Sequence, residues 1–344
     1  MKLYCGIDLH SNNSYVVISD ENDKVIYQDR LPNDLKLILK ELFPYKADLN
    51  GIVVESTYNW YWLADGLEEA GYKVYLANTT AIQQYSGLKY TDDKKDATWL
   101  AQLLRLNVLS TGYIYPKEKR GVRELLRRRM ILVRQQTMCL LGIKGIVTRY
   151  ENVKLTADRI KRYAGNEAQM PEKILKYIKD DHVRFAVQSQ LKILHCIIQE
   201  VEKLEEIILS EIKSDKYFEL LKTIPGVGPI LAMTILLETG EIKRFKNPGN
   251  YSSYCRCVES KRISNEKKKG ENNRKNGNSY LSWAFIEAAN FAIRYHEPVK
   301  KYYQRKLSKT KQVIARKTIA NKLSKACFFI LRDGVSFKME KLFC

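Results

Sequence analysis

The sequence predicts an α/β layer at the N-terminus, a helical middle segment and a mainly α C-terminal segment. Short β-rich runs alternate with amphipathic stretches up to about residue 110, which indicates a mixed sheet covered by helices. The strand patterns then disappear, and apolar residues recur at helical spacing. The charge of the chain also changes sign near this point. We therefore expect domains at residues 1–112, 113–216 and 217–344.

The N-terminal pattern predicts the element order βββαβαβα. The first run is apolar except for one acid, and turn-forming residues separate the next two β-rich runs. Amphipathic spacing predicts helices between the later strands. The predicted strands are 3–9, 14–19, 24–30, 51–55 and 73–77, and the predicted helices are 34–43, 60–70 and one beginning near 93. This is the strand order of an RNase H-like fold.

Residues 117–214 predict a long helical hairpin or bundle. Apolar residues in its second half follow one another at intervals of four and three, the spacing of a coiled-coil seam. These positions are Val187, Leu191, Leu194, Ile198 and Val201. The partner helix offers Leu132, Val133, Leu140, Ile143 and Val147. Packing within the chain and dimerisation both remain open for this surface.

The C-terminal segment begins with a predicted helix, turn and helix over residues 222–246. In the turn Ile224–Gly228, Gly226 and Gly228 would let backbone N–H groups approach a phosphate, as in a helix-hairpin-helix. An ordinary turn between helices has the same pattern. Residues 247–280 are polar and basic and predict a loop. Helical spacing returns from Tyr280 to Leu331.

The charge distribution points to a polyanionic partner. The chain has 59 Lys and Arg against 39 Asp and Glu, which gives a formal charge of +20. Residues 1–110 carry a net charge of −4, and the remainder carries +24. Nucleic acid is the simplest partner for such an excess. We expect no membrane span and no secretory leader, and the seven scattered cysteines fit a reducing cytoplasm.

Four acidic residues come from three separate segments. Asp8 lies inside an apolar strand, where an unpaired carboxylate is costly, and Glu55 ends a second apolar strand. Asp93 and Asp96 are three residues apart at a helix start and therefore face one direction. If the first and fourth strands are neighbours, these carboxylates meet and suit Mg²⁺ or Mn²⁺. The competing explanations are that Glu55 caps the following helix and that Asp93 and Asp96 favour a helix N-terminus electrostatically.

The polar segment 260–278 combines serines with many cations. A serine among cations can attack a phosphodiester, but spacing alone does not choose among Ser260, Ser264 and Ser279. The predicted nucleic-acid contacts are Gly226, Gly228, Lys261, Arg262, Lys267, Lys268, Lys269, Arg274 and Lys275. The four histidines form no zinc pattern. His10, two residues after Asp8, could lie at the edge of the acidic site, and exposure to solvent is the favoured alternative.

Several sequence blocks resemble the DEDD transposases of the IS110 insertion-sequence family, in particular its IS1111 subgroup. The blocks are Tyr4–His10, Val54–Glu55, Asp93–Ala97, Ile224–Gly228, Asn273–Asn278 and Trp283–Ala289. The resemblance extends over roughly residues 3–335. It implies a RuvC-like resolvase domain at the N-terminus, a coiled-coil middle and a C-terminal transposase domain.

The resemblance also implies an activity and its residues. The activity is DNA strand cleavage and exchange, guided by a structured non-coding RNA that pairs with donor and target. Asp8, Glu55, Asp93 and Asp96 match the metal-binding tetrad, and the spacing to Asp96 favours Asp93 over Asp92. Ser264 falls where the family has a nucleophilic serine that joins the 5′ phosphate of a cleaved strand. Members are expected to form dimers or tetramers whose sites combine residues of two subunits.

Three other functions remain open from the residues. The same metal site with water as nucleophile would make a structure-specific nuclease or a Holliday-junction resolvase. A sugar or acetate kinase would share the sheet and the early aspartate, but the residues after Asp8 lack the glycine of a phosphate turn. A nucleic-acid binder without enzymatic activity would tolerate the loss of Asp8.

Overall fold

The computed structural model describes residues 1–82, 92–164, 170–271 and 276–343, which fall into two compact units. Unit 1 comprises Met1–Lys117 together with Ser260–Asn276. Unit 2 comprises Glu118–Glu259 and Gly277–Cys344. The domain boundaries after residues 112 and 216 stay a prediction.

Unit 1 contains the elements that the N-terminal pattern predicts, in the predicted order. The strands are β1 (Leu3–Leu9), β2 (Asn13–Ser19), β3 (Val25–Pro32), β4 (Leu49–Glu55) and β5 (Val74–Ala77). The helices are α1 (Leu35–Leu42), α2 (Tyr61–Glu69) and α3 (Asp93–Arg105). The mixed α/β character of this segment is thus confirmed.

Within the described residues, five strands form one mixed sheet in the order β3-β2-β1-β4-β5. β1 pairs antiparallel with β2 and parallel with β4, so the first and fourth strands are neighbours as predicted. Ile7 lies opposite Val54, so the next residues, Asp8 and Glu55, come at the same edge of the sheet. This is the strand order expected of an RNase H-like sheet.

The two faces of the sheet pack against different helices. Alternate residues of β1, among them Leu3 and Ile7, join α1 and α2 in one core, because successive side chains of a strand point to opposite faces. The other face packs against α3, where Val53 contacts the cluster that includes Leu100. Asp8 and Glu55 alternate onto this α3 face.

Gly6 allows α3 to lie directly on β1. A Cβ atom at this position would collide with the carbonyl oxygen of Ala97 and lie 2.8 Å from the amide nitrogen of Ala101. Ala97 and Ala101 are themselves fully buried. Small residues on both elements therefore let the two backbones come into contact, which brings the start of α3 over the end of β1.

The remainder of the described chain is mainly helical. The helices are α4 (Lys117–Glu151), α5 (Ala157–Ala164), α6 (Met170–Leu175), α7 (Asp181–Ile212), α8 (Lys216–Lys222), α9 (Pro229–Thr239), α10 (Pro248–Tyr254), α11 (Ser279–Tyr295), α12 (Glu297–Leu307), α13 (Gln312–Asp333) and α14 (Glu340–Phe343). One core joins α8–α13 with parts of α4, α7 and α14 and includes the fully buried Tyr251 and Phe285. A second core joins α4–α7 and includes the predicted seam residues Val187, Leu191 and Leu194. The coiled-coil assignment stays a prediction.

Helix α4 is the one helix among the described residues that bears on the expected absence of a membrane span. It is long enough, and contains an 18-residue stretch apolar enough, to cross a membrane by length and composition alone. Among its apolar residues, Leu140, Ile143 and Val147 are buried in the core with α5–α7. A single helix of this kind indicates no membrane placement.

The polar segment 247–280 is more ordered than the predicted loop. It contains α10 in unit 2 and a hairpin in unit 1, with strands β6 (Arg262–Ser264) and β7 (Lys267–Gly270). Asn265 and Glu266 form its turn at φ 51° and 59°, a left-handed pair that matches the twist of a two-residue hairpin. The sequence concealed this hairpin because its strands are almost entirely polar.

Candidate active site

Three of the predicted acidic residues meet on the α3 face of the sheet. Asp8 is only 3% exposed, and Glu55 lies beside it on the parallel strand β4. Burial, a hydrogen bond with Asp8 and the charges of Asp8 and Asp96 together raise the pKa of the Glu55 carboxyl to about 8. Asp8, Glu55 and Asp96 are therefore close enough to compete for ionisation.

One carboxylate oxygen of Asp96 accepts no hydrogen bond from the described residues. Its Oδ1 is buried and has no hydrogen-bond partner among the described residues. Burial raises the pKa of this carboxyl, and the negative charges of Asp8, Asp92 and Asp93 raise it further, against a lowering by His10. A buried carboxylate oxygen without a donor is costly unless a cation or a proton satisfies it.

His10 lies at this site with a side chain that is still partly exposed to solvent. Its Nε2 is 3.2 Å from Asp8 Oδ2 and 3.3 Å from Asp93 Oδ1, although the ring remains 42% exposed. The Nε2 atom is buried, and neither of these short contacts, nor any other within the described part of the chain, has the geometry of a hydrogen bond. The spacing of two residues from Asp8 was the available signal, because such residues share one face of an extended chain.

Asp92 and Asp93 have different roles at the start of α3. The Asp92 side chain accepts a hydrogen bond of 2.8 Å from the Lys95 amide and so caps the helix. Asp93 instead lies beside His10 and receives a hydrogen bond of 3.1 Å from Arg30. Capping therefore accounts for Asp92, whereas Asp93 and Asp96 lie in the first turn of α3, where helix electrostatics also favour a carboxylate. Glu55 does not cap α2, whose first turn has no side-chain cap.

Three further polar residues support the site, and sequence reasoning missed them. Arg30 on β3 bridges Asp93 and Asn13, with its Nε 3.0 Å from Asn13 Oδ1. Asn33 and Asn59 both donate to the carbonyl oxygen of His10, at 3.0 Å and 3.1 Å. They come from loops that are distant in sequence, so no local pattern identifies them.

The donor set fits a divalent cation. Asp8, His10 and Asp93 offer ligand atoms that all lie within 4.8 Å of one another. Asp96 Oδ1 and His10 Nε2 are buried and lack hydrogen-bond partners among the described residues, so both atoms have lone-pair capacity for a metal ion. Carboxylate oxygens are the ligands that Mg²⁺ and Mn²⁺ prefer.

Ser264 occupies an exposed position in unit 1. It ends β6, pairs with Lys267 across the hairpin and directly precedes the turn. Ser260 precedes the hairpin, whereas Ser279 is the first residue of α11 in unit 2. The predicted contacts Lys261, Arg262, Lys267 and Lys269 are exposed around the serine. Lys268 lies in β7, and Arg274 and Lys275 lie outside the described residues.

The two glycines of the Ile224–Gly228 turn differ in their surroundings. Gly226 has φ +79°, and a Cβ atom there would collide with the Ala288 carbonyl oxygen of α11. Packing therefore explains Gly226 without a phosphate. Gly228 directly precedes α9, and a Cβ atom there would meet nothing within 4 Å. The turn borders a cavity of about 790 Å³, which Trp283 also lines.

Comparisons with known proteins agree with each other. A family model described as a DEDD transposase of the IS110 type matches residues 5–151. A second model, described as "Transposase IS116/IS110/IS902 family", matches residues 218–304. The chain is also similar to a "Probable family 20 transposase" of Pseudomonas aeruginosa, at 22% identity over 245 residues that cover 68% of each protein.

Proposed function

We propose a mechanism for this chain on the premise that it belongs to the IS110-type transposases, which implies that it acts in DNA transposition and recombination. In this mechanism a metal-bound carboxylate tetrad and a serine cut and rejoin DNA strands for an insertion sequence. The observation that supports the proposal is that Asp8, Glu55 and Asp96 interact with one another and that a buried Asp96 oxygen has no hydrogen-bond partner among the described residues.

The tetrad is the proposed metal centre. Asp8, Glu55, Asp93 and Asp96 would hold Mg²⁺ or Mn²⁺, and His10 is a further candidate ligand. When bound, the cation would offset the carboxylate charges and polarise the phosphate. Without it, Glu55 retains a proton near neutral pH, because its pKa is raised to about 8. Arg30 on β3 donates a hydrogen bond to Asp93 and so helps to position it.

Ser264 is the proposed nucleophile. Its Oγ would form a bond to the phosphorus of the scissile phosphodiester while the bond from phosphorus to the 3′ oxygen breaks. The proton leaves the hydroxyl, and the departing 3′ oxygen gains one. The 5′ phosphate then remains on the serine, and a 3′ hydroxyl of another strand can displace it without ATP.

The basic segments are the proposed nucleic-acid contacts. Exposed cations of the hairpin, including Lys261 and Lys267, would bind phosphates of double-stranded DNA. By the resemblance to the IS1111 subgroup, the same surfaces would also hold a structured guide RNA. The proposed assembly is a dimer or tetramer that acts on DNA in the cytoplasm.

A covalent-adduct assay tests the serine role. The full chain is incubated with element-end DNA, the flanking non-coding RNA and Mg²⁺, and a protein–DNA adduct is detected on a denaturing gel. Ser264→Ala should abolish the adduct. Ser260→Ala is the matched control, since this serine lies in the same segment and should leave the adduct intact. An undiminished adduct in Ser264→Ala would reject the assignment.

Hydrolysis by water is the second candidate function. One observation favours it. The acidic cluster, by which we mean Asp8, Glu55, Asp93 and Asp96, comes from residues 8–96 alone and contains no serine. A nuclease or Holliday-junction resolvase of this kind would produce free nicks in the same assay. Nicks without any protein-linked intermediate in the wild type would select this alternative.

A further inference from the structure

Tyr58 is exposed to an unusual degree beside the acidic cluster. Its side chain is 85% exposed, the highest value among the large apolar and aromatic residues that the structure describes. It lies three residues after Glu55, in the loop between β4 and α2. A tyrosine ring offers a large apolar face and a polar tip, which suits it to contact with a ligand.

The loop around Tyr58 is fixed to the site by hydrogen bonds. The Thr57 amide donates to the Glu55 carbonyl at 3.0 Å, and the Thr57 hydroxyl donates to Asn59 Oδ1 at 2.9 Å. Asn59 Nδ2 in turn donates to the His10 carbonyl at 3.1 Å. Residues on both sides of Tyr58 are therefore anchored to the strand ends that carry Glu55 and His10, and the ring is held outward.

The short distance along the chain from Glu55 to Tyr58 places Tyr58 close to a DNA strand bound at the carboxylates. Three extended residues span at most about 10 Å, so the backbone of Tyr58 lies within that distance of Glu55. Successive phosphates of one strand advance about 3.4 Å along a duplex. A phosphate held at the carboxylates would thus have Tyr58 within about three nucleotides.

The chemistry of the position favours a base over a phosphate. The nearby side chains Asp8, Glu55 and Asp96 are acidic, and an uncharged ring offers no attraction to a phosphate. An aromatic face binds the face of an unpaired base without regard to its identity. A base that remains paired and stacked in a duplex has no free face for this contact.

We propose that Tyr58 stacks on an unpaired DNA base next to the phosphodiester that the acidic cluster acts on. The proposal rests on the proposed function and deepens it. It specifies the substrate of this site as a strand that is single-stranded or unstacked at the point of cleavage. Tyr58 is then a substrate-binding residue and takes no part in proton transfer or metal binding.

The test uses the full chain with element-end DNA that carries 2-aminopurine within three nucleotides of the cleavage point. Ca²⁺ replaces Mg²⁺ so that binding is measured without chemistry. Stacking on an aromatic ring quenches the fluorescence of this base. The variants are Tyr58→Ala, Tyr58→Phe and, as control, Phe43→Ala, which removes a ring that is 72% exposed beside α1 on the other face of the sheet.

We expect Tyr58→Ala to lose the quenching and to weaken DNA binding about tenfold, which corresponds to about 1.4 kcal/mol. Tyr58→Phe and Phe43→Ala should both behave as the wild type, and the salt dependence of binding should stay unchanged because no phosphate contact is lost. Wild-type quenching in Tyr58→Ala, or a loss in Tyr58→Phe equal to that in Tyr58→Ala, would overturn the proposal.

Asp8→Asn separates this proposal from the proposed function. If Asp8→Asn abolishes cleavage in Mg²⁺ and Tyr58→Ala matches the wild type in every measurement, the stacking role alone fails. If Asp8→Asn still cleaves, the acidic cluster is not the catalytic site and the proposed function fails.

Discussion

At the residue scale, the Glu55 carboxyl binds its proton more tightly in the folded protein than in the unfolded chain. Its pKa is about 8 in the fold, because of burial and of its acidic neighbours, against 4.5 as the ordinary value. Between these pH values the folded state binds the extra proton. The free energy of unfolding must therefore fall as the pH rises from about 4.5 to about 8 when no cation is present.

Glu55→Gln should remove this pH dependence. The amide cannot ionise, so we expect the variant to be more stable than the wild type at pH 8 by roughly 1–3 kcal/mol and similar to it at pH 4.5. The measurement is thermal or urea denaturation in EDTA across this pH range. Added Mg²⁺ should stabilise the wild type at pH 8 and not the variant. Equal pH profiles for the two proteins would contradict the role of Glu55.

Asp92 and Asp93 allow a matched comparison of two adjacent carboxylates. Asp92→Asn should leave Mn²⁺ binding and helix stability nearly unchanged, because asparagine caps a helix as well as aspartate does. Asp93→Asn should weaken Mn²⁺ binding at least about tenfold, because a proposed ligand is lost. Titration of Mn²⁺ followed by electron paramagnetic resonance gives both affinities. Weaker binding in Asp92→Asn than in Asp93→Asn would reverse the assignment.

Sequence reasoning at this scale found residues with a strong local signal. Asp8 stands out because an apolar strand surrounds it, and the meeting of Asp8 with Glu55 followed from the predicted strand order. Arg30 and Asn59 could not be found in this way. Both are ordinary polar residues in solvent-facing segments, and only the fold brings them to Asp93 and His10.

At the element scale, the site depends on how closely α3 approaches β1. We expect Gly6→Ala to cost about 1–3 kcal/mol or more, because the added methyl group collides with the Ala97 carbonyl. DNA cleavage should fall with it, since α3 carries Asp93 and Asp96. Urea denaturation and cleavage assays measure the two effects.

Gly121→Ala is the control for this change. Gly121 lies in helix α4, and a Cβ atom there would meet nothing within 4 Å. Alanine should therefore stabilise the helix by about 0.5–1 kcal/mol. If Gly6→Ala behaved like Gly121→Ala, the close approach of α3 would not be a constraint on the site.

The Ile224–Gly228 turn gives a second element-scale prediction. Gly226→Ala should destabilise the protein by about 2 kcal/mol or more, because it adds a collision with α11 to a left-handed backbone conformation. Gly228→Ala should change the free energy of unfolding by less than about 1 kcal/mol. Denaturation of both variants, together with DNA-binding titrations, distinguishes packing from phosphate contact: only a contact at Gly228 would lower affinity without lowering stability.

The sequence predicted strands and helices correctly where hydrophobic periodicity was clear, and it missed them where that periodicity was absent. β1 and β4 are apolar runs, and their bounds lie close to the predicted ones. The β6–β7 hairpin has exposed strands of mostly charged residues, so alternation of polar and apolar residues could not reveal it. Its turn depends on left-handed Asn265 and Glu266, and glutamate is not a typical residue for such a turn.

At the scale of the whole molecule, the charge distribution predicts steeply salt-dependent DNA binding. The chain has a formal charge of +20, with the positive excess after residue 110. Each phosphate contact adds about 0.9 to the slope of log affinity against log salt. Lys267→Ala combined with Lys269→Ala should therefore reduce the slope by about 2. Lys46→Ala is the control, since Lys46 bonds the Ala70 carbonyl, and it should leave the slope unchanged.

The composition of unit 1 bears on how the protein can be divided. The four proposed metal-binding carboxylates of this unit all lie before residue 97. The hairpin with Ser264 belongs to the same unit but comes more than 160 residues later in the sequence. An N-terminal fragment ending at Lys117 would keep every proposed cation ligand and lose Ser264, the proposed nucleophile. Exchange of gene segments between relatives at that boundary would likewise combine the acidic residues of one protein with the proposed nucleophile of another.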